Sequence, residues 1–186
     1  MKQSASIDIL RPPHEVYNLV SNPRLVSVWN PVVLDATTLT SGPWVPGSQT
    51  IWILNFGGEK LEMIETAIEC NKPVRIASTY EFTRFIPPTP AEISEKGMPR
   101  INYEYELSEK FRAMFGKYRP SGLTVIELFP KDDNATFLRI TDELQIGGIA
   151  GFTRRMAILF RRQPLKKLIK SMKATIESEQ PGGGTE

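Results

Sequence analysis

Apolar and polar residues alternate along much of this chain, and a period of two is typical of half-buried β-strands. Turn-forming residues, such as Gly57-Gly58 and Asn71-Lys72-Pro73, separate the alternating stretches. Short connections between successive strands favour antiparallel pairing. The pattern predicts seven strands, at residues 4–10, 32–39, 48–56, 61–68, 74–85, 123–129 and 135–146.

Two short helices are predicted between the first and second strands. Pro13 suits the first position of a helix, where the missing N–H costs nothing, and apolar side chains continue to Val20. Asn22 can cap a second helix, because its side chain can accept a hydrogen bond from the first turn. Asn30-Pro31 should end that helix directly after Trp29.

The clearest periodicity lies near the C-terminal end. Apolar residues recur at steps of three and four from Phe152 to Ile176, which predicts a long amphipathic helix. A helix of roughly 28 residues spans about 40 Å. Pro164 should kink it, because proline removes an N–H donor and crowds the preceding turn. The glycine-rich stretch 179–186 is expected to be a disordered tail.

Residues 86–120 interrupt this pattern. Prolines make the first half irregular, whereas the alternation over 101–107 indicates an eighth strand. A bare loop of this length is unusual in a compact domain, so we expect a structured insertion within a single domain over 1–178. Two interpretations stay open: a lid over a pocket, or an extension of the sheet edge.

Composition narrows the setting and the partners. With 40% apolar and 24% charged residues, the chain falls in the ordinary globular range. The net charge of +2 is too small to imply nucleic acid, which is bound by clustered Lys and Arg. No apolar run approaches the ~20 residues that cross a bilayer, and no secretory signal is apparent. A single cysteine, Cys70, fits the expectation of a cytoplasmic protein without disulfides.

Several short motifs mark the architecture. They are Ser6-Ile7-Asp8-Ile9, Pro12-Pro13-His14-Glu15-Val16-Tyr17, Asn22-Pro23-Arg24, Val28-Trp29-Asn30-Pro31, Gly47-Ser48 and Asn71-Lys72-Pro73. In this order, and outside 86–120, they resemble the START-like (SRPBCC) superfamily, in particular its polyketide cyclase/dehydrase and lipid-transport families. The resemblance implies an α+β helix-grip fold. In that fold a curved antiparallel sheet of about seven strands wraps around a long C-terminal helix, with an apolar cavity between them.

Few reactive groups are available for catalysis. His14 is the one histidine and Cys70 the one thiol, so a Ser-His-Asp or Cys-His site would have to use these residues. The chain also has too few Cys and His residues for a typical zinc site. The glycine-rich segment 147–151 is better explained as a turn before the last helix than as a phosphate-binding loop. We therefore expect neither a cofactor nor a metal.

Aromatic and aliphatic side chains on the strands and the last helix are candidates to line the implied cavity. Ordinary core packing is the competing interpretation for each of them, and the facing of strand 61–68 is open because both of its sides are apolar. The predicted ligand-binding residues are Trp29, Trp52, Leu54, Phe56, Tyr80, Phe82, Tyr105, Leu138, Ile140, Phe152 and Met156.

Acidic residues also occur within strands, at Glu65, Glu81 and Asp142. Asp142 shares the phase of Leu138 and Ile140 and is expected to point inward. An apolar cavity raises the pKa of a carboxyl group, which suits a general acid or base, so Asp142 is the candidate catalytic residue. The competing interpretation is a solvated group, or one paired with an arginine such as Arg84 or Arg139.

Three functions compete at this point. The leading prediction is binding of a small hydrophobic ligand, lipid or polyketide-like, and the alternative is a cyclase or dehydratase that uses carboxylate and tyrosine groups. The third is a protein- or membrane-docking module, although a run of basic residues is also typical of a solvated helix face. That module would use the basic residues of the last helix, Arg154, Arg155, Arg161, Arg162, Lys166, Lys167, Lys170 and Lys173.

Overall fold

A computed structural model of the chain describes residues 1–56, 59–86, 113, 117–146 and 165–178. The elements are β1 (Lys2–Ile9), α1 (Pro13–Val20), α2 (Pro23–Trp29), β2 (Val33–Thr38), β3 (Gln49–Phe56), β4 (Glu59–Asn71), β5 (Arg75–Ile86), β6 (Ser121–Asp132), β7 (Ala135–Gln145) and α3 (Leu165–Ser178). The seven predicted strands and the helix pair are confirmed. The strands form one antiparallel sheet in the order β1-β7-β6-β5-β4-β3-β2, so the first strand lies beside the last.

Bulges interrupt several strand pairs of this sheet. The register shifts between β2 and β3, at two places between β4 and β5, and between β6 and β7. An extra residue on one strand of a pair bends that strand and increases its twist. The bulges therefore contribute to the curvature that gives the sheet an inner face.

The helix pair begins and ends where the local chemistry predicts. Pro13 occupies the first turn of α1, and the side chain of Asn22 accepts a hydrogen bond from Arg24 N at 3.1 Å to cap α2. α2 ends at Trp29. Both helices bury an apolar side against the sheet, so they close one end of the inner face.

α3 packs across the sheet through one apolar side. Leu165, Ile169, Met172 and Ile176 recur at steps of four, three and four residues, and none is more than 8% exposed. Full burial of such a side chain contributes about 1.5–3 kcal/mol. The helix also contacts the end of β1, where Lys173 Nζ donates to the backbone oxygen of Asp8 at 2.7 Å. The C-terminal helix of the helix-grip fold is thus present over the described residues.

Other sequence predictions lie outside the described residues. They are the insertion over most of 86–120 with its eighth strand, the helix from 152 to 164 with its kink at Pro164, and the tail. Within the described ranges, no helix is both long enough and apolar enough to cross a lipid bilayer.

The inner and outer sides of β4 are resolved by burial. Leu61 is 1% exposed and Met63 packs against the core, whereas Ile68 is 50% exposed. Residues 61, 63 and 65 share one side of a strand. The side chain of Glu65 therefore faces inward, which the sequence left open.

Candidate functional site

A pocket of about 230 Å³ lies between the inner face of the sheet, α2 and the described start of α3. Val26 and Trp29 reach it from α2, and Leu165 and Leu168 from α3. All three tryptophans of the chain, Trp29, Trp44 and Trp52, line it. The pocket is therefore mainly apolar and rich in aromatic surface.

The predicted ligand-binding residues fall into three groups. Those that line the pocket are Trp29, Trp52, Leu54, Tyr80, Phe82 and Ile140, together with the candidate catalytic residue Asp142. Leu138 is fully buried in the hydrophobic core and is not among the described residues that line the pocket. Tyr105, Phe152, Met156 and the side chain of Phe56 lie outside the described part of the chain.

Polar side chains form a row across the inner face of the sheet. The row includes two acidic residues and crosses from β3 to β1 through adjacent strands. We call it the polar row; its members, all of which line the pocket, are Trp52, Glu65, Ser78, Tyr80, Thr124, Asp142 and Gln3. The pocket thus combines apolar walls with one hydrogen-bonding wall.

Glu65 stands near one end of the polar row. Its Oε2 accepts a hydrogen bond from Trp52 Nε1 at 2.8 Å, and its Oε1 accepts one from the Ser78 hydroxyl. Burial raises the pKa of the Glu65 carboxyl and outweighs these two hydrogen bonds, which act to lower it. The remaining exposure of this side chain is toward the pocket that it lines.

Asp142 occupies the other half of the polar row. Its Oδ1 accepts hydrogen bonds from Tyr80 Oη at 2.9 Å and Thr124 Oγ1 at 3.3 Å, and its Oδ2 accepts one from Gln3 Nε2 at 3.3 Å. Burial raises the pKa of Asp142, against the effect of these bonds and of the nearby N-terminal ammonium group of Met1. Burial and the charge of Asp142 also raise the pKa of the Tyr80 phenol, so it stays protonated and donates.

Gly122 makes room for the Tyr80 ring. The two residues are directly opposite each other on β6 and β5, and a Cβ atom at position 122 would overlap the ring and hydroxyl of Tyr80. The missing side chain lets the ring lie over β6, so that its hydroxyl reaches Asp142 on β7. The glycine is thus part of the site although it carries no functional group.

No basic side chain neutralises the polar row among the described residues that line the pocket. Arg84 pairs with Glu62 at 2.7 Å and Arg139 with Glu127 at 2.8 Å, so Asp142 has neither arginine as its partner. Both pairs lie on the outer side of the sheet, as does the salt bridge from Arg119 to Glu81. Of the three strand acids, therefore, only Glu65 and Asp142 face the pocket.

Six polar or aromatic residues that line the pocket were missed in the sequence: Gln3, Ser21, Asn30, Trp44, Ser78 and Thr124. Ser78 and Thr124 share the phase of apolar neighbours on β5 and β6, and Gln3 shares the phase of Ile7 and Ile9 on β1. A polar residue in phase with an apolar strand face was the available signal. Trp44 lies in an irregular segment rich in proline and glycine, where no periodicity points to it.

The basic residues of the last helix are only partly described. Lys166, Lys167 and Lys170 are exposed on α3, whereas Lys173 is bonded to Asp8 and lies 3.4 Å from Glu177. The four arginines at 154, 155, 161 and 162 lie outside the described residues. A docking role for this helix therefore stays a prediction.

Solved structures with the same architecture cover nearly the whole chain. One is a START superfamily protein from Mycobacterium smegmatis, with a TM-score of 0.59 and 12% identity over 95% of this chain and 97% of that one. The fold is START-like. Proteins from Arthrobacter aurescens and Thermus thermophilus are also similar, with TM-scores of 0.61 and 0.59 and identities of 14% and 12%. They cover 96% and 95% of this chain, and 87% and 97% of their own.

The START-like fold agrees with the order of motifs in the sequence, and the helix-grip arrangement is confirmed. No family model matches the chain, and no curated protein is similar to it. At identities this low, structural likeness shows the fold alone, and function depends on the site. Membership of the polyketide cyclase/dehydrase or lipid-transport families stays a prediction.

Proposed function

We propose that this START-like protein binds a small hydrophobic molecule in the pocket between the sheet, α2 and α3. The observation that carries the proposal is an apolar pocket of about 230 Å³ into which all three tryptophans converge. Apolar walls with a few placed polar groups are typical of small-molecule sites. The single cysteine supports a cytoplasmic setting for this binding.

The described part of the pocket has the volume of a small ring compound. A cavity of about 150 Å³ is known to hold benzene, so by proportion about 230 Å³ accommodates roughly ten non-hydrogen atoms. At typical ligand efficiencies, a molecule of this size binds with a dissociation constant between about a micromolar and a millimolar.

Tryptophan fluorescence tests the proposal, because every tryptophan lines the pocket. Titration with butylbenzene should change the emission in a saturable way, and native mass spectrometry should detect a one-to-one complex. Ile126→Trp places a larger side chain in the pocket and should abolish binding. Its matched control is Val125→Trp, one residue away on the opposite side of β6, which should bind like the wild type. Equal binding by the two variants, or no binding by the wild type, would contradict the proposal.

Acid–base catalysis is the second candidate, and the Tyr80–Asp142 hydrogen bond is the observation that favours it. Burial raises the pKa of the Asp142 carboxyl group, which makes it a better proton donor to a bound molecule, as elimination of water from a cyclising compound requires. Compounds that bind should be incubated with the protein and analysed by mass spectrometry for loss of water. Asp142→Asn should stop this conversion while leaving binding intact; unchanged conversion would reject the role of Asp142.

A further inference from the structure

We propose that the ligand of this pocket carries a protonated amine, and that the Glu65 carboxylate receives it. The inference rests on the proposed function and specifies the chemical class of the molecule. It starts from the charge balance of the pocket, where acidic side chains face the cavity and, among the described lining residues, no basic side chain does.

The hydrogen bonds of Glu65 are those of an acceptor. The indole N–H of Trp52 can only donate, so Oε2 serves as an acceptor, and the Ser78 hydroxyl supplies a donor to Oε1. A carboxylate offers about four lone-pair positions, and these two contacts leave further positions on both oxygens. The polar row therefore orients the Glu65 carboxyl group but supplies only part of its coordination, and a bound cation would stabilise the ionised form against the effect of burial.

A buried carboxylate is normally balanced by a nearby cation, because an isolated buried charge is costly. On β4 itself, Glu62 pairs with Arg84 at 2.7 Å and Glu69 with Arg75 at 2.9 Å. Glu65 lies between them on the inner side of the same strand, and its partners among the described residues are the neutral groups of Trp52 and Ser78. Of these three carboxyl groups, Glu65 is therefore the one that a cationic ligand is placed to neutralise.

Asp142 is a less suitable receptor for the same ligand group. Three side chains already donate to it, and the ammonium group of Met1 contributes positive charge nearby. Three strand spacings, or about 14 Å, separate the backbones of β4 and β7, so the two carboxylates belong to different parts of the polar row. The aromatic walls would also stabilise a bound amine, because the face of an aromatic ring attracts a cation.

A series of compounds with the same phenylalkyl frame isolates the role of the charge. Phenylpropylamine should bind at least about tenfold more tightly than phenylpropanol, because hydrogen bonds to charged groups are the stronger ones. Phenylpropanoate should bind more weakly than either, since its carboxylate meets the charge of Glu65. Benzylacetone tests the opposite arrangement, in which a neutral Glu65 carboxyl donates to a carbonyl oxygen.

Glu65→Gln removes the charge and keeps the hydrogen bonds. Its amide oxygen can accept from Trp52, and its amide N–H can donate to the Ser78 hydroxyl. The variant should lose the tenfold preference for the amine over the alcohol, and saturable binding of butylbenzene, at whatever affinity, shows that its pocket is intact. Glu62→Gln, on the outer side of the same strand, is the matched control and should keep the preference.

The outcomes separate this inference from the function on which it rests. If no compound of the series binds, the proposed function fails and the inference with it. If butylbenzene binds but the amine binds no more tightly than the alcohol, only the amine assignment is overturned. The amine assignment is also overturned if benzylacetone binds more tightly than phenylpropylamine. It is overturned as well if Asp142→Asn loses the amine preference and Glu65→Gln keeps it.

Discussion

Gly122→Ala tests whether the ring of Tyr80 lies over β6 as the site requires. A Cβ atom at this position would overlap the ring and hydroxyl of Tyr80 and would approach the carbonyl oxygen of Glu143 to 2.5 Å. Both the Tyr80 ring and the β7 backbone at Glu143 would have to shift, and only the first clash depends on the ring. Displacement of the ring should break the hydrogen bond to Asp142.

Two losses set the size of the effect. A hydrogen bond to a charged group contributes about 1.5–3 kcal/mol, and an overpacked core position costs about 1–3 kcal/mol. Alanine recovers about 0.5–1 kcal/mol relative to glycine in a strand. The free energy of unfolding should therefore fall by about 2–5 kcal/mol, which is a large part of the 5–15 kcal/mol typical of a domain.

Urea denaturation of four proteins measures this coupling. They are the wild type, Gly122→Ala, Tyr80→Ala and the double variant. With the ring absent, alanine at position 122 should cost at least about 1 kcal/mol less than in the wild type, so the two substitutions should not be additive. If Gly122→Ala changes stability by less than about 0.5 kcal/mol, or if the two effects add, the placement of Tyr80 is refuted.

Three further substitutions probe the site and the core. Burial raises the pKa of Glu65 in the folded state, so wild-type stability falls as pH rises from the unfolded value, about 4.3, through the raised folded value. Glu65→Gln lacks this fall, and its stability relative to the wild type should increase with pH in urea titrations; a pH-independent difference would contradict the burial of the charge. Tyr80→Phe should lower the free energy of unfolding by about 1.5–3 kcal/mol. It should also raise the pKa of Asp142 further, because the lost hydrogen bond acts to lower that pKa, and carbon NMR of the carboxyl group measures the change. Met172→Ala on α3 should cost about 2–5 kcal/mol in thermal or urea unfolding, since its side chain is fully buried, and a smaller loss would argue against the packing of α3 on the sheet.

Much of the fold could be predicted because its signals are local. Alternation fixed the seven strands, and the positions of Pro13 and Asn22 fixed the starts of two helices. The inward direction of Asp142 followed from its phase with Ile140 on β7. Each of these inferences needed only neighbours a few residues apart in the chain.

The composition of the site depended on contacts that no local pattern contains. Glu65 lies on a strand with apolar residues on both sides, and its inward direction is set by pairing with β3 and, between two bulges, with β5. Gly122 acquires its role only because Tyr80 is opposite it on the neighbouring strand. Leu138 shares the phase of Ile140 but lies nearer the start of β7, where the core fills the space against the sheet. Periodicity gives the face of a strand; it does not give the position of a cavity along that face.

The most direct measurement of the central claim is an NMR titration of the three indole N–H groups with butylbenzene. Trp29, Trp44 and Trp52 give three side-chain signals, and all three residues line the pocket. Binding in the pocket should shift these signals together and saturably in the wild type and in Val125→Trp, but not in Ile126→Trp. If the three original indole signals stay in place while backbone signals elsewhere shift, the hydrophobic ligand does not occupy this pocket.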